Sequence, residues 1–556
     1  MAPTQHDSSN RRPNASARRL LAAPVAALLL ALLPGALSAR DGEHDHHDHG
    51  FSHEITTSSP EAQRQFDHGL QLSWGFNHLE AARAFRKATE LDPSCAMCWW
   101  GRALVLGPNI NAPLDPKYYP EILESLAKAK ALAPKATDAE RAYIRALGER
   151  YPPKPVDDRA RFDKAYADAM RRVARGYPAD LTAATLFAEA LMDTTPWDYW
   201  LPNGEPKAVA REFIDVLETV LRREPKHPGG AHLLIHAVEK GRPDLAVPAA
   251  ERLDQDPQAT GHLVHMASHI YMRVGRYEDA ARVNQRAIEE DDAYASKHQV
   301  PDEYFPYMLH NHHMRWAALG FEGRREESRY EARYLQQNIP GELLRVPQYA
   351  VLQHFWSIPL YDQVWFGEWD AILAEPEPAS DLLYPRGVWN YATGVAQVRK
   401  GQVDAAASHL KTLATLAAEV RGDEGLIWGL NPGSALLDIA QDVLAGEIAA
   451  ARGDHQTGFR HLEAAVAKED ALVYDEPPPW LFPSRHVLGR IQLAAGKPAD
   501  AERTYRGDLE VFPNNGWALA GLAKSLEAQG KRDEAAEVRA DLKDAWARAE
   551  VELAEM

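Results

Sequence analysis

Residues Ala62 to Cys95 read AQRQFDHGLQLSWGFNHLEAARAFRKATELDPSC. Gly69, Ala81, Phe85, Ala88 and Pro93 fall at offsets 8, 20, 24, 27 and 32 of this 34-residue stretch. Each position has a physical job. The small residues let two antiparallel helices approach closely, the aromatic ring fills the gap between them, and the proline stops the second helix. The same frame returns near the C-terminus, where Gly489, Ala501, Tyr505 and Pro513 match it and Ala535 follows Ala501 by 34 residues. Gly446 and Ala465 mark the unit before it. Weaker units read around Gly275 to Ala287, Arg325 to Tyr334, Glu368 to Leu373 and Gly401 to Leu410.

This frame is that of a tetratricopeptide repeat. The expected fold is therefore all-α, a right-handed superhelical solenoid of antiparallel helix pairs. No strand pattern is visible. Proline-rich breaks at Gly107 to Pro120, Tyr151 to Pro155, Pro196 to Pro206 and Pro477 to Pro483 read as long inter-helix loops, because helical repeats resume on both sides. Hydrophobic content of 45% and charged content of 26% are ordinary for a folded chain, so a large core is affordable across 556 residues. Five segments follow: 1–39 a signal peptide, 40–60 a flexible His/Asp-rich leader, 61–180 N-terminal repeats, 181–335 histidine-rich central repeats, and 336–556 C-terminal repeats.

The first segment reads as an address. Arg11, Arg12, Arg18 and Arg19 make a positive start, an apolar run spans Leu20 to Leu33, and Ala36-Leu37-Ser38-Ala39 offers a cleavage site. The run is too short for a membrane span, which needs about 20 residues. Export to the periplasm or beyond, by a Sec or a twin-arginine signal, is expected. Removal of those four arginines and Asp7 takes the net charge from −18 to −21. Such a charge argues against nucleic acid or an anionic membrane as partner and draws cations generically. Behind the cut lies Glu43-His44-Asp45-His46-His47-Asp48-His49, with His53 close by. It reads either as a solvated leader that picks up Zn, Ni or Cu weakly or as a metal-collecting tail.

Residues 227–313 hold ten of the 23 histidines: His227, His232, His236, His262, His265, His269, His298, His310, His312 and His313. His232, His236 and Glu239 share one face of a helix, His262, His265 and His269 share a face of another, and His310 and His313 form a third set. One further helix separates each set from the next (about Asp244 to Leu253, then about Tyr277 to Glu290), so the sets fall on successive inner helices that line the concave groove. The preceding inner helix, about Leu181 to Asp193, adds Glu189 and Asp193. Several buried imidazoles without partners would each cost on the order of 1–3 kcal/mol. Metal ligation removes that cost; an acid/base or substrate site without metal, or a structural hydrogen-bond network, are the other readings.

The expected metal ligands are His232, His236, Glu239, His262, His265, His269, His310 and His313, with Glu189, Asp193 or Glu239 as candidate general base. Nitrogen-rich ligation suits Zn, Cu, Fe or Ni and disfavours Ca and Mg. Six histidines also allow two ions with three each, which admits copper, while His/His/Glu suits a catalytic zinc. Tyr271 and Tyr307 offer nearby phenols. Trp197, Asp198, Tyr199 and Trp200 form an aromatic loop that could wall a pocket. Asn109 and Asn111 are capping residues or ligand contacts, and Tyr474 to Trp480 reads as a rigid loop with Arg485 and His486 opening the next helix. Cys95 and Cys98 open a helix as C-x-x-C; in an oxidising compartment a local disulfide is expected, with copper binding alongside Met97 and a redox dithiol as the alternatives.

The chain resembles a family of exported bacterial tetratricopeptide-repeat proteins over most of its mature length. The stretches that carry the likeness are Asp92 to Gly101, His232-Leu233-Leu234-Ile235-His236, His265-Met266-Ala267-Ser268-His269-Ile270-Tyr271, His310-Asn311-His312-His313 and Glu476-Pro477-Pro478. The family has no settled activity, so the resemblance implies fold and export and marks the histidine stretches as family features. Three functions are open at this stage: a metal-dependent enzyme, a metal-handling protein, and a scaffold that holds a small molecule, peptide or protein partner in the groove. Peptide-binding grooves of this kind use Lys, Arg and Asn clamps, whereas the central helices here carry His and acids.

Overall fold

The computed structural model describes residues 51–551, apart from 258, 260, 298, 299, 301–303, 421–425, 428 and 429. The signal-peptide reading, the histidines His44 to His49 of the leader, and His298 lie outside the described residues. The chain is an all-α solenoid of the expected kind, with 24 α-helices among the described residues, packed successively in antiparallel pairs. A two-residue antiparallel pair, Leu426–Ile427 with Asn431–Pro432, is the one sheet among those residues. No helix there is long and apolar enough to cross a membrane.

The packing device read from Ala62 to Cys95 is present. Helix Pro60–Trp74 starts with Pro60 behind Ser59, whose hydroxyl accepts from the Ala62 amide, and it pairs with His78–Leu91. The Phe85 ring fills the space between Gly69 and Gly101, where an added Cβ would lie 3.0 and 2.4 Å from it. Tyr505 does the same between Gly489 and Gly521, at 2.6 and 2.2 Å. Residues 51–59 are not a free continuation of the leader. The Ser52 hydroxyl donates to Asp67, and the Thr56 amide and hydroxyl donate to Glu140, which also closes the capping box of helix Asp138–Gly148 with Thr137. Cys95 and Cys98 form the local disulfide, with Cα atoms 5.4 Å apart, just before and within helix Ala96–Val105.

The coil of the solenoid is tight, and this decides what the inner face can do. Helix Pro60–Trp74 reaches across to helix Pro228–Val238, where Gly229 leaves room for the Trp74 ring (an added Cβ would sit 2.5 Å from it). The last repeats fold back on the middle from the other side. The Trp517 indole donates to the Gly320 carbonyl at 2.9 Å, the Trp546 indole to Phe321 at 3.0 Å, and the Glu550 amide to Gly323 at 2.9 Å. Where the central repeats line the concave side, Trp74 and Phe76 from the first repeat lie against them, and the last repeats pack on the turn at Gly320 to Gly323.

Candidate metal centre

Three inner helices carry the site, Pro228–Val238, His262–Arg273 and Phe305–Phe321, with Val247–Gln255 and Tyr277–Lys297 between them. The first is apolar on every side, so Leu233, Leu234 and Ile235 bury it and take His232 and His236 along. The second starts at Gly261, whose φ of +48° suits glycine and whose missing Cβ leaves space for the Tyr304 hydroxyl. Six imidazoles meet where these helices face one another. Ligand atoms of His232, His236 and His262 lie within 4.8 Å of one another, and so do those of His265, His269 and His310. His236, Glu239 and His269 form a third such group, which links the two trios.

The hydrogen bonds set the tautomers. His232 Nδ1 donates to the Trp74 carbonyl, His236 Nδ1 to Glu239 Oε1 at 3.1 Å, and His269 Nδ1 to Glu239 Oε2 at 2.6 Å. His265 Nδ1 donates to Asn284 Oδ1 at 2.7 Å, and that amide is oriented by its own Nδ2, which donates to the Ala280 carbonyl at 2.8 Å. Each of these oxygens only accepts, so the proton is on Nδ1 and the lone pair is on Nε2. The Nε2 atoms of His232 and His236, and both ring nitrogens of His262, are buried without a hydrogen-bond partner among the described residues. His265 Nε2 and His269 Nε2 face each other at 2.9 Å. Two lone pairs at that distance repel unless a proton or a cation sits between them. A ring held through Nδ1 by an oxygen, with Nε2 turned inward, is the arrangement that orients metal-binding histidines.

Electrostatics favour the neutral form of five of these rings. Burial drives the pKa values of His232, His262, His265 and His310 well below the ordinary value, the neighbouring rings adding to it, and lowers that of His236. Burial also pushes His269 down, but Glu239 outweighs it and leaves this one ring raised. Burial would raise Glu239; its two imidazole partners overcome that and hold it at about 2, an anion between two rings.

Phe76 and Glu476, which sequence spacing did not single out, close the chamber together with Trp197 and Tyr307, which the sequence placed beside it. Phe76, at φ +57°, lays its ring 4.4 Å from His232, 5.5 Å from His262 and nearly parallel to His236 at 5.9 Å. From the 474–480 loop, read as structural, Glu476 enters the electrostatics of His269: burial raises its pKa to about 7, against the opposing pull of Arg273 and His269. The Trp197 ring meets His236 edge-on at 5.1 Å, and Tyr307 meets His262 at 4.8 Å while its hydroxyl accepts from Asn111 at 3.0 Å.

Other candidates stand apart. His313 joins neither trio: it lies against Trp316, His354 and Phe355, on the side of the next repeat. Asp193 pairs with the buried Arg150 at 2.5 Å, and Glu189, raised to about 8 by burial and by Asp193, shares that neighbourhood; neither joins the histidine groups. His312 pairs with Glu331, His227 caps its helix by accepting from the Gly230 amide, and the Tyr271 hydroxyl donates to Asp254.

Burial lowers His78 to about 4 and His354 to about 3. An ordinary histidine titrates near 6.5. In metal-free protein at pH 5.5, ring nitrogen shifts of both residues are expected to keep the neutral pattern in a ¹⁵N spectrum. An imidazolium pattern on either ring would contradict their buried, neutral placement.

No family model matches the chain, and no curated protein matches it. Solved structures with a similar course are human IFIT1 dimer with m7Gppp-AAAA (12% identity, 89% of this chain and 96% of that one, TM-score 0.31). The APC/C hetero-tetramer Cut9-Hcn1 follows at 15% identity, 89% and 97% coverage and TM-score 0.25. Naa15/Naa10 bound to HypK-THB matches at 11% identity, 88% and 74% coverage and TM-score 0.18. Superpositions this loose carry no inference about function.

Proposed function

We propose that this chain is an exported repeat protein, with residues 1–39 as its signal, that holds transition-metal ions in the two histidine trios. The observation that carries this reading is a set of buried imidazoles whose Nδ1 atoms are engaged by fixed oxygens, with the Nε2 atoms of His232 and His236 left unpartnered and those of His265 and His269 facing each other. Left without a cation, each such nitrogen costs on the order of 1–3 kcal/mol. Zn, Cu, Ni and Fe all accept imidazole. Trp74 and Phe76, lying against the inner face, speak against an extended peptide lying along these three helices.

The test is elemental analysis of the purified full chain in which His44, His46, His47 and His49 are replaced by Ser, so that the leader adds no metal. Two ions per chain are expected, one for each trio. His236→Ala and His265→Ala are each expected to lose at least one of them while circular dichroism stays helical. A metal-free parent, with both variants folded, would overturn the reading and bring a metal-free small-molecule or peptide site forward.

A further inference from the structure

The two trios are one chamber. Ring centroids within the first trio are 4.8, 5.0 and 6.3 Å apart, and within the second 4.6, 4.9 and 5.8 Å. Across the boundary His262 is 5.4 Å from His265 and His236 is 5.5 Å from His269. Rings of opposite trios are therefore as near as rings of the same trio. Ions bound to three nitrogens each would be neighbours with unfilled positions.

Charge restricts what can bind there. The imidazoles are ligands only as neutral rings, and Glu239 is the one carboxylate in the ligand groups. Two divalent ions would bring four positive charges into a buried chamber against Glu239, since Glu476 at its edge is already opposed by Arg273, and uncompensated buried charge costs several kcal/mol per ion. Glu239 is bonded to the Nδ1 atoms of His236 and His269, so it stands behind those rings and not on the Nε2 side where the ions would sit. Compensation has two sources: ions of lower charge, or an anion from outside. Of Zn, Ni, Fe and Cu, only copper has a stable monovalent state with nitrogen ligands.

We infer that the two trios hold a pair of copper ions that share one small bridging ligand, and that the reduced pair takes up dioxygen. This deepens the metal-binding reading and rests on it. The step balances within the chamber. Each cuprous ion gives one electron to dioxygen, two cupric ions and one bound peroxide dianion result, and no proton moves. The total charge of ions plus ligand is two positive units before and after, so the buried site gains no uncompensated charge on oxidation.

The test uses the full chain with the four leader substitutions, loaded with cuprous ion under argon and then exposed to oxygen. The expected result is two copper ions per chain, uptake of one dioxygen per pair, a new charge-transfer absorption, and loss of the cupric spin signal because the two spins couple through the shared ligand. His262→Gln, which leaves the second trio whole, is expected to keep one copper and show its full spin signal. Two copper ions with full spin intensity after oxidation would overturn the shared ligand. Two zinc ions per chain that copper does not displace would overturn the copper pair and leave the metal-binding reading standing, whereas one copper per chain would overturn the pair and the occupancy of both trios. A chain that takes no metal at all would overturn both.

Discussion

Metal loading is expected to slow amide exchange about a thousandfold in Pro228–Val238, His262–Arg273 and Phe305–Phe321, while Gly433–Ala451 and His455–Asp470 stay unchanged. The size follows from mass action: a ligand present at 1,000 times its dissociation constant stabilises the state that binds it by about 4.1 kcal/mol. The localisation follows from the architecture. In a solenoid each repeat rests mainly on its neighbours, so segments open separately, and only openings that part the ligands feel the ion. Three inner helices contribute ligands, and the turn after Pro60–Trp74 is tied in through the Trp74 carbonyl and Phe76. Exchange measured by mass spectrometry with and without a chelator tests this. A uniform change along the chain, or none in the three helices, would count against a metal held between them.

The fold was legible because its signal is local. Gly69, Phe85 and Gly101 lie on consecutive helices, and the reason for each, a ring needing space that a Cβ would occupy, is written within one repeat length. The histidine faces were legible for the same reason, since three- and four-residue spacing determines which side chains look the same way. Spacing failed where direction had to be finer than a face. His313 follows His310 by three residues, yet the small rotation between them turns it from the second trio to Trp316 and His354 on the next repeat. Asp193 shared a helix face with Glu189 but lay within reach of Arg150, and a buried guanidinium takes the carboxylate nearest it. Asn284, Phe76 and Glu476 were hidden for another reason. They arrive at the chamber from a neighbouring outer helix, a left-handed turn and a distant loop, and superhelical closure, which brings the chain's ends onto its middle, has no periodic trace in sequence.

Glu239 is the residue on which both trios depend, and its removal is expected to have the largest effect of any single substitution in the site. Its two oxygens accept from His236 Nδ1 and His269 Nδ1, and it is buried. Glu239→Leu would leave two buried ring N–H groups without acceptors and free both rings to turn. Leaving a buried donor without an acceptor costs about 1–3 kcal/mol, and loss of an orienting group behind a ligand weakens metal binding about 10–100-fold. Glu239→Gln separates the two effects. Its one carbonyl oxygen still serves one ring, while its amide turns a donor toward the other, so one trio should keep its ion and the other lose affinity. Denaturant midpoints of the metal-free variants read the stability term, and metal titration reads the orienting term. Should Glu239→Leu leave both within about 0.5 kcal/mol of the parent, the scale of an ordinary surface substitution, the carboxylate would be no part of what holds the trios together.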